Sequence, residues 1–257
     1  MRNIDNIYLK NLNRIEFVVT LACTGRCKHC SEGDHMVCGE HIDGDIGAEV
    51  VRKVAGDFDI KSLMTFGGEP LLYVDDVCKI HNVAKEVGIL ERQLITNGYF
   101  SKNKDRINSV AHRLSESGVN DILLSVDAFH QETIPLEPVM EFAKACLDTN
   151  MIIRTQPAWL VSCENDNPYN KRTKEILREF ADLGIEANEG NVIFPSGNAL
   201  KYLAEYFDGE TDQFNPYVED PTDVHAICIS QDGNLLGCNI YNENIIDILQ
   251  KYKPERF

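Results

Sequence analysis

The sequence predicts an α/β fold, a partial (βα)6 TIM-like barrel followed by a small C-terminal β-hairpin and helix. Six strand-like segments alternate with six helical patterns between residues 14 and 208, and such alternation indicates a parallel sheet with helices outside it. Polar, motif-like residues follow the first four strands, at the end where parallel α/β folds carry their functional sites. Because six units are fewer than the eight of a closed barrel, a partly open barrel fits the count. The pattern alone leaves a flat, doubly wound sheet as an alternative.

The strands are predicted from runs of β-branched and aromatic residues. In chain order these runs are RIEFVVT (14–20), KSLMTF (61–66), RQLIT (92–96), VNDILLSV (119–126), MIIRTQPAWLV (151–161) and NVIF (191–194). The helices are predicted where apolar residues recur with the helical period. They are expected near 46–58, 74–87, 102–116, 138–148, 171–183 and 198–207.

The composition changes after residue 207. The stretch DGETDQFNPYVEDPTD is acidic and rich in turn formers, which is typical of a linker or surface loop. Two short strands are then expected on either side of Asp232-Gly233, a strong hairpin signal, and a last helix within ENIIDILQKY. We therefore expect an N-terminal segment (1–13), a barrel (14–208) and a C-terminal extension (209–257).

Composition and charge exclude several classes of function. The formal net charge of −16, spread along the chain, repels phosphate backbones, so nucleic acid is not an expected partner. The N-terminal residues lack the apolar run of a signal peptide, and the longest apolar runs are too short to cross a membrane. We expect a cytoplasmic protein. Structural disulfides are rare in that compartment, so nine cysteines suggest a bound metal.

Three of the cysteines stand close together in CTGRCKHC, directly after the first predicted strand. Cys23, Cys27 and Cys30 lie among Thr, Gly, Arg, Lys and His, which is not a core pattern. Zinc is one alternative, completed by His35, Cys38 or His41. The other is an iron–sulfur cube, in which three thiolates leave the fourth iron open for a substrate or cofactor.

Further motifs follow the next strands, and the ordered set resembles one known family. GGEP (67–70) follows the second strand, TNG (96–98) the third, and SVD (125–127) lies in the fourth. Together with the Cys-x3-Cys-x2-Cys spacing, these residues resemble the radical S-adenosylmethionine enzymes over about 190 residues. The fold of that family is a partial (βα)6 barrel, in agreement with the count of strand–helix units.

The resemblance implies a 4Fe-4S cluster held by the three cysteines, with S-adenosylmethionine bound at the free iron. The reduced cluster would cleave that cofactor to a 5′-deoxyadenosyl radical, which abstracts a substrate hydrogen. An electron donor such as flavodoxin or ferredoxin is an implied partner. The residues expected to contact the cofactor are His29, Gly67, Gly68, Glu69, Pro70, Asn97, Ser125, Asp127 and Arg154.

Other roles stay open at this point. Asp127 and His130 are candidates to touch the substrate or move a proton, although a helix-start role explains His130 equally well. Arg154 can pair with the cofactor carboxylate or form a structural ion pair. NVIFPSGNA resembles the segment whose backbone meets adenine. Core packing explains Cys78 and Cys146, while Cys38 and Cys163 are unexplained.

Cys228 and Cys238 bracket the predicted hairpin and resemble part of the SPASM or twitch extension, whose cysteines help hold an auxiliary iron–sulfur cluster. No cysteine follows Cys238, so such a site needs Cys163, Cys38 or another ligand. A hairpin that merely covers the barrel mouth is the alternative.

Three functions are compatible with these observations. The first is modification of a ribosomally made peptide, to which the SPASM-like tail points. The second is a small-molecule radical dehydrogenase or epimerase. The third is a non-catalytic iron–sulfur or zinc protein, against which GGEP argues, because a structural metal needs no cofactor clamp.

Overall fold

The computed structural model describes residues 4–33, 39–207, 215 and 218–254. The strands are β1 Arg14–Val18, β2 Ser62–Phe66, β3 Glu91–Thr96, β4 Asp121–Leu124, β5 Ile152–Thr155, β6 Ala158–Trp159, β7 Asn191–Val192, β8 Ala226–Ile229, β9 Asn234–Leu235 and β10 Cys238–Asn239. The helices are α1 Gly44–Asp57, α2 Val74–Glu86, α3 Lys104–Ser117, α4 Ala128–Gln131, α5 Leu136–Leu147, α6 Pro168–Ala181, α7 Gly197–Tyr202 and α8 Ile245–Lys251.

Six parallel strands form the main sheet, in the order β5-β4-β3-β2-β1-β8. From β1 to β5 the order follows the chain without reversal. Because parallel crossovers are right-handed, a one-way order places the successive helices on one face of the sheet. The predicted α/β architecture is confirmed, and the doubly wound alternative, which needs a reversal in strand order, is excluded.

The two faces of the sheet differ because side chains alternate along a strand. The outer face carries Ile15, Phe17, Leu63, Leu94 and Ile122, all fully buried in one core with the helices. The inner face is only half-buried, and many of its side chains are polar. The inner face is therefore the surface open to a ligand.

Contacts between distant loops show that the sheet curves. The loop after β1 meets the start of α7, where the Asn198 N–H donates to the Cys30 carbonyl over 2.9 Å. In a flat sheet, β1 and the edge beside β5 would be about 20 Å apart, at about 4.8 Å per strand. The curvature thus brings the carboxyl ends of the outer strands together over the inner face.

The fifth and sixth predicted strands are changed at Pro157, which lacks an N–H for pairing. The fifth is divided into β5 and β6 at Gln156-Pro157. The sixth shrinks to β7, which pairs in parallel with β6, and Ala187 forms a single bridge to Thr155. The sixth barrel strand is thus present only as this short ladder at the β5 edge. The helix α4 was not predicted.

The C-terminal segment differs from the predicted hairpin. β8 pairs in parallel with β1 instead of folding back across Asp232-Gly233. The chain does turn there, and the antiparallel hairpin β9–β10 follows, around Leu236 and Gly237. Both turn residues have positive φ, 50° and 77°, as a two-residue hairpin turn requires. Aliphatic residues from β8 to α8 belong to the same core as the barrel. The division after residue 208 stays a prediction, and residues 208–214 lie outside the described ranges.

Among the described residues, none of the helices combines the length and the apolar composition that crossing a bilayer demands.

Candidate active site

The three clustered cysteines lie on the loop that leaves the carboxyl end of β1. Cys27 is buried and Cys23 and Cys30 are half-buried. Besides burial, the largest cause, neighbouring thiols raise the pKa values in this loop: Cys30 acts on Cys23, and Cys23 and Cys30 both act on Cys27. The loop therefore brings the three sulfur atoms to one place, as their spacing predicts.

The environment of these thiols fits a positively charged metal group. Burial raises the pKa of Cys23 to about 11 and that of Cys27 well above its usual range. Glu69 and Asp127 act in the same direction. Three neighbouring thiolates need a compensating cation in such a place. A cluster with three cysteine ligands supplies it, so Cys23, Cys27 and Cys30 are the residues that would hold the cluster.

The two glycines of GGEP let the end of β2 pack directly on this loop. A Cβ at Gly68 would lie 2.3 Å from the Ala22 carbonyl oxygen, and one at Gly67 would lie 2.4 Å from that of Thr20. Gly67 also has a φ of 136°. The Gly68 N–H donates to the Thr20 carbonyl and the Glu69 N–H to the Ala22 carbonyl. The close approach expected of these glycines is thus made to the backbone just before Cys23.

Glu69 is fully buried and joins three strand ends. Its Oε1 accepts from the Thr96 hydroxyl at 2.7 Å and the Leu71 N–H at 2.8 Å, and its Oε2 accepts from the Asn97 N–H at 2.9 Å. Burial raises its pKa to about 7, although these three donors oppose the rise. The sequence suggested that Glu69 accepts from the cofactor ammonium. In the structure its carboxylate is largely occupied in bracing the loop. Pro70, also buried, starts the 3-10 helix Pro70–Tyr73.

Asn97 links the end of β3 to the first cysteine. It is buried, and its Nδ2 lies 3.1 Å from Thr24 Oγ1 and 3.6 Å from the sulfur of Cys23. Its Oδ1 accepts from the Tyr99 N–H. Asn97 therefore holds the cysteine loop from the β3 side, a role for which its place in the TNG motif was the only signal.

A second brace comes from the segment after β7, which the sequence did not single out for this role. The Asn198 Nδ2 donates to the Cys27 carbonyl over 3.2 Å, and Ser196 Oγ donates to the Ser31 carbonyl. A Cβ at Gly197 would lie 2.3 Å from that Ser31 oxygen. The sequence PSGN offered no signal beyond its glycine, because this contact exists only when the sheet curves.

Asp127 is fully buried and accepts four hydrogen bonds. Its Oδ1 caps α4 through the N–H groups of Phe129 and His130, and its Oδ2 accepts from the Ala158 N–H and bonds His130 Nδ1 at 2.8 Å. Burial alone would raise its pKa, but His130 and these donors hold it well below the usual range. With its acceptor sites filled, Asp127 is a positioning residue. That it touches substrate or moves a proton stays a prediction.

His130 and His29 lie side by side above the sheet. Their ring centroids are 4.8 Å apart, and His29 also packs against Phe129 at 5.1 Å. Burial lowers the pKa of His29 to about 4, so its ring is neutral. The imidazole atom His29 Nδ1 is enclosed and has no hydrogen-bond partner in the described structure.

The inner face below the cysteine loop carries a polar belt, defined as Arg14, Glu16, Gln93, Asp121 and Arg154. Arg14 pairs with Glu16, Gln93 joins Arg14 to Asp121, and Arg154 donates to Asp121 over 2.6 Å. Arg154 thus forms the structural ion pair that the sequence left open. The belt is charge-balanced, and Asp121 Oδ1 and Arg154 Nε are enclosed without a partner among the described residues.

Ser125 and Gln156 lie at the belt's upper end, beyond β4 and β5. The Ser125 N–H donates to the Thr96 carbonyl, and the Gln156 N–H to that of Leu124. Ser125 is half-buried. The structure thus places Ser125 directly after the carboxyl end of β4, on the same face as Asp121.

The two tail cysteines do not lie together. Cys228 is paired in register with Glu16 and so faces the inner side of the sheet. Cys238 packs against the core on the helix side, where its thiol contacts Glu243. An auxiliary iron–sulfur cluster that uses both thiols would need a rearrangement of the tail. Such a second cluster stays a prediction.

The remaining candidates lie elsewhere. Cys146 is buried in the core and Cys78 packs against the core, as expected. Cys163 is exposed next to Glu164. His41 contacts Asp76 and stacks on Tyr73. His35 and Cys38 lie outside the described residues, so the zinc alternative built on them has no structural description.

Curated relatives match over most of the chain. A probable GTP 3′,8-cyclase of Saccharolobus islandicus is 25% identical over 95% of this chain and 88% of its own length. A probable GTP 3′,8-cyclase of Methanocaldococcus jannaschii is 26% identical over 93% of this chain and 89% of its own length.

Solved structures share the fold. SuiB of Streptococcus suis, bound to S-adenosylmethionine, aligns with a TM-score of 0.59 at 14% identity, over 95% of this chain and 66% of SuiB. The enzyme anSMEcpe, with bound AdoMet, aligns with a TM-score of 0.58 at 14% identity, over 94% of this chain and 80% of its own. At such identity these similarities concern the fold alone.

The match to a family as a whole is decisive. The sequence model of the Radical SAM superfamily covers residues 17–195, which include the cysteine loop, GGEP, Asn97 and Asp127. The 4Fe-4S cluster and S-adenosylmethionine are cofactors of this superfamily, and its members need a substrate and a reductant. The chain belongs to the Radical SAM superfamily and is a radical S-adenosylmethionine enzyme.

Proposed function

We propose that this enzyme abstracts a hydrogen atom from a peptide bound against the inner face of the barrel. The observation that carries the proposal is the position of two features on one side of the sheet. The cysteine loop, held by hydrogen bonds from both sides, lies at the strand ends, and the charge-balanced polar belt lies on the inner face below it. Cys23, Cys27 and Cys30 would hold the cluster. With S-adenosylmethionine bound, that group supplies a 5′-deoxyadenosyl radical.

The residues of this chain have three tasks in that reaction. Gly68, Glu69 and Asn97 fix the cysteine loop on one side, and Asn198 fixes it on the other. Asp127 orients His130 beside Cys27. The inner face holds the substrate and keeps its reacting carbon beneath the loop. Such positioning is the part of radical chemistry that a protein supplies.

The belt supports a substrate group without net charge. Each of its arginines is already paired with a carboxylate, Arg14 with Glu16 and Arg154 with Asp121. A triphosphate would meet these carboxylates and a strongly acidic chain. An amide offers a donor and an acceptor side by side, and the belt also presents both donors and acceptors, in Gln93, Asp121 and Arg154.

The experiment compares substrates after anaerobic reconstitution. Formation of 5′-deoxyadenosine is measured with dithionite, S-adenosylmethionine and either GTP or synthetic peptides encoded by short reading frames beside the gene. We expect about four irons per chain and stimulation by a peptide, not by GTP. If GTP stimulates the reaction and a cyclised nucleotide is formed, the proposal of a peptide substrate is wrong. Absence of 5′-deoxyadenosine under every condition overturns the reaction.

Epimerisation is the second candidate, and Cys228 favours it. Cys228 is exposed on the inner side of the sheet, in register with Glu16. The protein around its sulfur atom, with Glu16 and Glu32, raises the pKa of the thiol to about 12 and keeps it as S–H. A substrate carbon radical can take the hydrogen atom of that S–H. The resulting thiyl radical regains the thiol by accepting one electron from the reductant and one proton. Deuterium from D2O at the product carbon, lost in Cys228→Ala, is the expected sign. Protium there in deuterated solvent contradicts this candidate.

A further inference from the structure

Cys27 has two histidine neighbours besides the other cysteines. Cys27, His29 and His130 each offer a ligand atom, and these atoms lie within 4.8 Å of one another. One thiolate and two imidazoles form a donor set typical of zinc, with a fourth position left for water. Around one zinc ion such atoms lie about 3.5 Å apart, as metal–ligand distances of about 2.0–2.3 Å dictate. Shifts of about 1 Å would complete the site.

His130 is already oriented for metal binding. Its Nδ1 lies 2.8 Å from Asp127 Oδ2, which leaves Nε2 as the nitrogen available to a metal. A carboxylate on the far nitrogen is the arrangement that fixes histidine ligands in metalloproteins. Asp127 cannot easily turn away, because it is fully buried and holds three N–H groups as well.

His29 supplies an independent observation. Its Nδ1 is enclosed, yet no described residue bonds it. Enclosed polar atoms without partners are rare and call for an explanation such as an unseen ion. The ring stands edge-on to that of His130, with 4.8 Å between centroids, so one ion can reach both.

We propose that, when the cluster is absent, this chain binds one zinc ion through Cys27, His29 and His130. Zinc and the cluster then compete for Cys27, whose thiol loses its proton in either case. Loss of the cluster would free Cys27 for zinc, and bound zinc would delay reassembly of the cluster. Zinc binding at this site does not depend on the proposed function. The competition between zinc and the cluster does rest on the proposed function.

The decisive experiment uses the full chain with Cys23→Ser and Cys30→Ser, which removes two cluster thiols and keeps the zinc ligands. Anaerobic titration with Co²⁺, then Zn²⁺, is followed by absorption. We expect one ion per chain, the visible bands of tetrahedral cobalt and a thiolate-to-cobalt band. X-ray absorption of the zinc form should show one sulfur and two imidazole nitrogens, whatever the behaviour of further variants.

Further variants in this background assign the ligands. Cys27→Ser should abolish the thiolate band, and His29→Gln and His130→Gln should each weaken zinc binding at least tenfold. His112→Gln, at an exposed histidine of α3, is the matched control and should change nothing. Circular dichroism checks folding. Sub-stoichiometric metal, a sulfur-free zinc shell or affinities insensitive to His29 and His130 overturn the proposal.

Wild-type protein separates this failure from that of the proposed function. We expect zinc pre-loading to slow cluster assembly several-fold, and His130→Gln to relieve the delay. If wild-type protein takes up four irons per chain but the double variant binds no zinc, the proposed function is retained and the zinc site is wrong. Zinc binding in a wild-type chain that never takes up four irons leaves only the zinc site standing. Unchanged assembly rates in zinc overturn the competition.

Discussion

The cysteines of the loop after β1 and those of the tail differ in what surrounds them. Cys23, Cys27 and Cys30 follow one strand end and are held by hydrogen bonds from both sides of the barrel. Cys228 faces the inner side of the main sheet, whereas Cys238 lies in the separate β9–β10 hairpin and packs against the core. Close spacing along the chain is therefore not enough for a metal site. The thiols must also leave the strand at an end where other loops can fix them.

The largest effect is expected from the loop itself. Cys27→Ser removes the most buried of the three thiols, and two thiolates do not hold the cube. We expect iron to fall from about four per chain to near zero after reconstitution, and 5′-deoxyadenosine to disappear. Iron analysis and chromatography measure both. A Cys27→Ser protein that retains four irons would show that Cys27 is not a ligand.

The brace from β2 is tested by Gly68→Ala. Its Cβ would lie 2.3 Å from the backbone oxygen of Ala22, so the loop must move, at a cost of about 1–3 kcal/mol. Gly56→Ala is the matched control, since nothing lies within 4 Å of its Cβ on the exposed side of α1. It should stabilise by about 0.5–1 kcal/mol. Urea unfolding and iron retention check both, and equal stabilities would contradict the close approach.

The brace from β3 is tested by Thr96→Val. The change keeps the shape but removes the hydroxyl that donates to Glu69 and accepts from the Gly98 N–H. We expect a loss of about 1–3 kcal/mol and faster iron loss from the holoenzyme. Thr65→Val, buried and bonded to His81 instead, should cost similar stability without changing iron loss. Equal rates of iron loss in the two variants would show that the Thr96–Glu69 hydrogen bond does not help to hold the cysteine loop.

The pH dependence of the brace gives a smaller effect. The pKa of Glu69 is raised to about 7 by burial, from 4.5, so the folded state holds a proton that the unfolded chain releases. Its contribution is complete below pH 4.5 and falls by about 1.4 kcal/mol per unit up to pH 7. Glu69→Gln should lower stability at every pH and remove this slope. Urea unfolding of the cluster-free chain measures it, and parallel curves for both proteins would contradict it.

The smallest effect is expected in the tail. Cys228→Ser and Cys238→Ser should each leave iron near four per chain, because Cys228 faces the inner side of the main sheet while Cys238 packs against the core from the β9–β10 hairpin. Iron and sulfide analysis decides this. A wild-type content near eight that falls to four in either variant would show an auxiliary cluster.

Much of the fold was predictable because it depends on local patterns. The first four strands and the long helices that follow them match their periodicity, and the motifs follow the strands in the predicted order. The three cysteines as cluster ligands stay a prediction. Pro157 made the later strands harder to predict, since it shortens a ladder that the residue types favour. The turn at Asp232-Gly233 was correct, but β8 found its partner in β1, more than 200 residues away, and local pattern cannot reveal such a partner.

By itself the sequence determined the family, the alternation of strands and helices, and the loop that carries the three thiols. These follow from spacing and periodicity along the chain. The tertiary structure decided what the motif residues touch. Only curvature brings Asn198 to the cysteine loop and places His130 beside Cys27. The reason is physical: hydrogen bonds and burial depend on distances in space, and those are set when the sheet closes over its inner face.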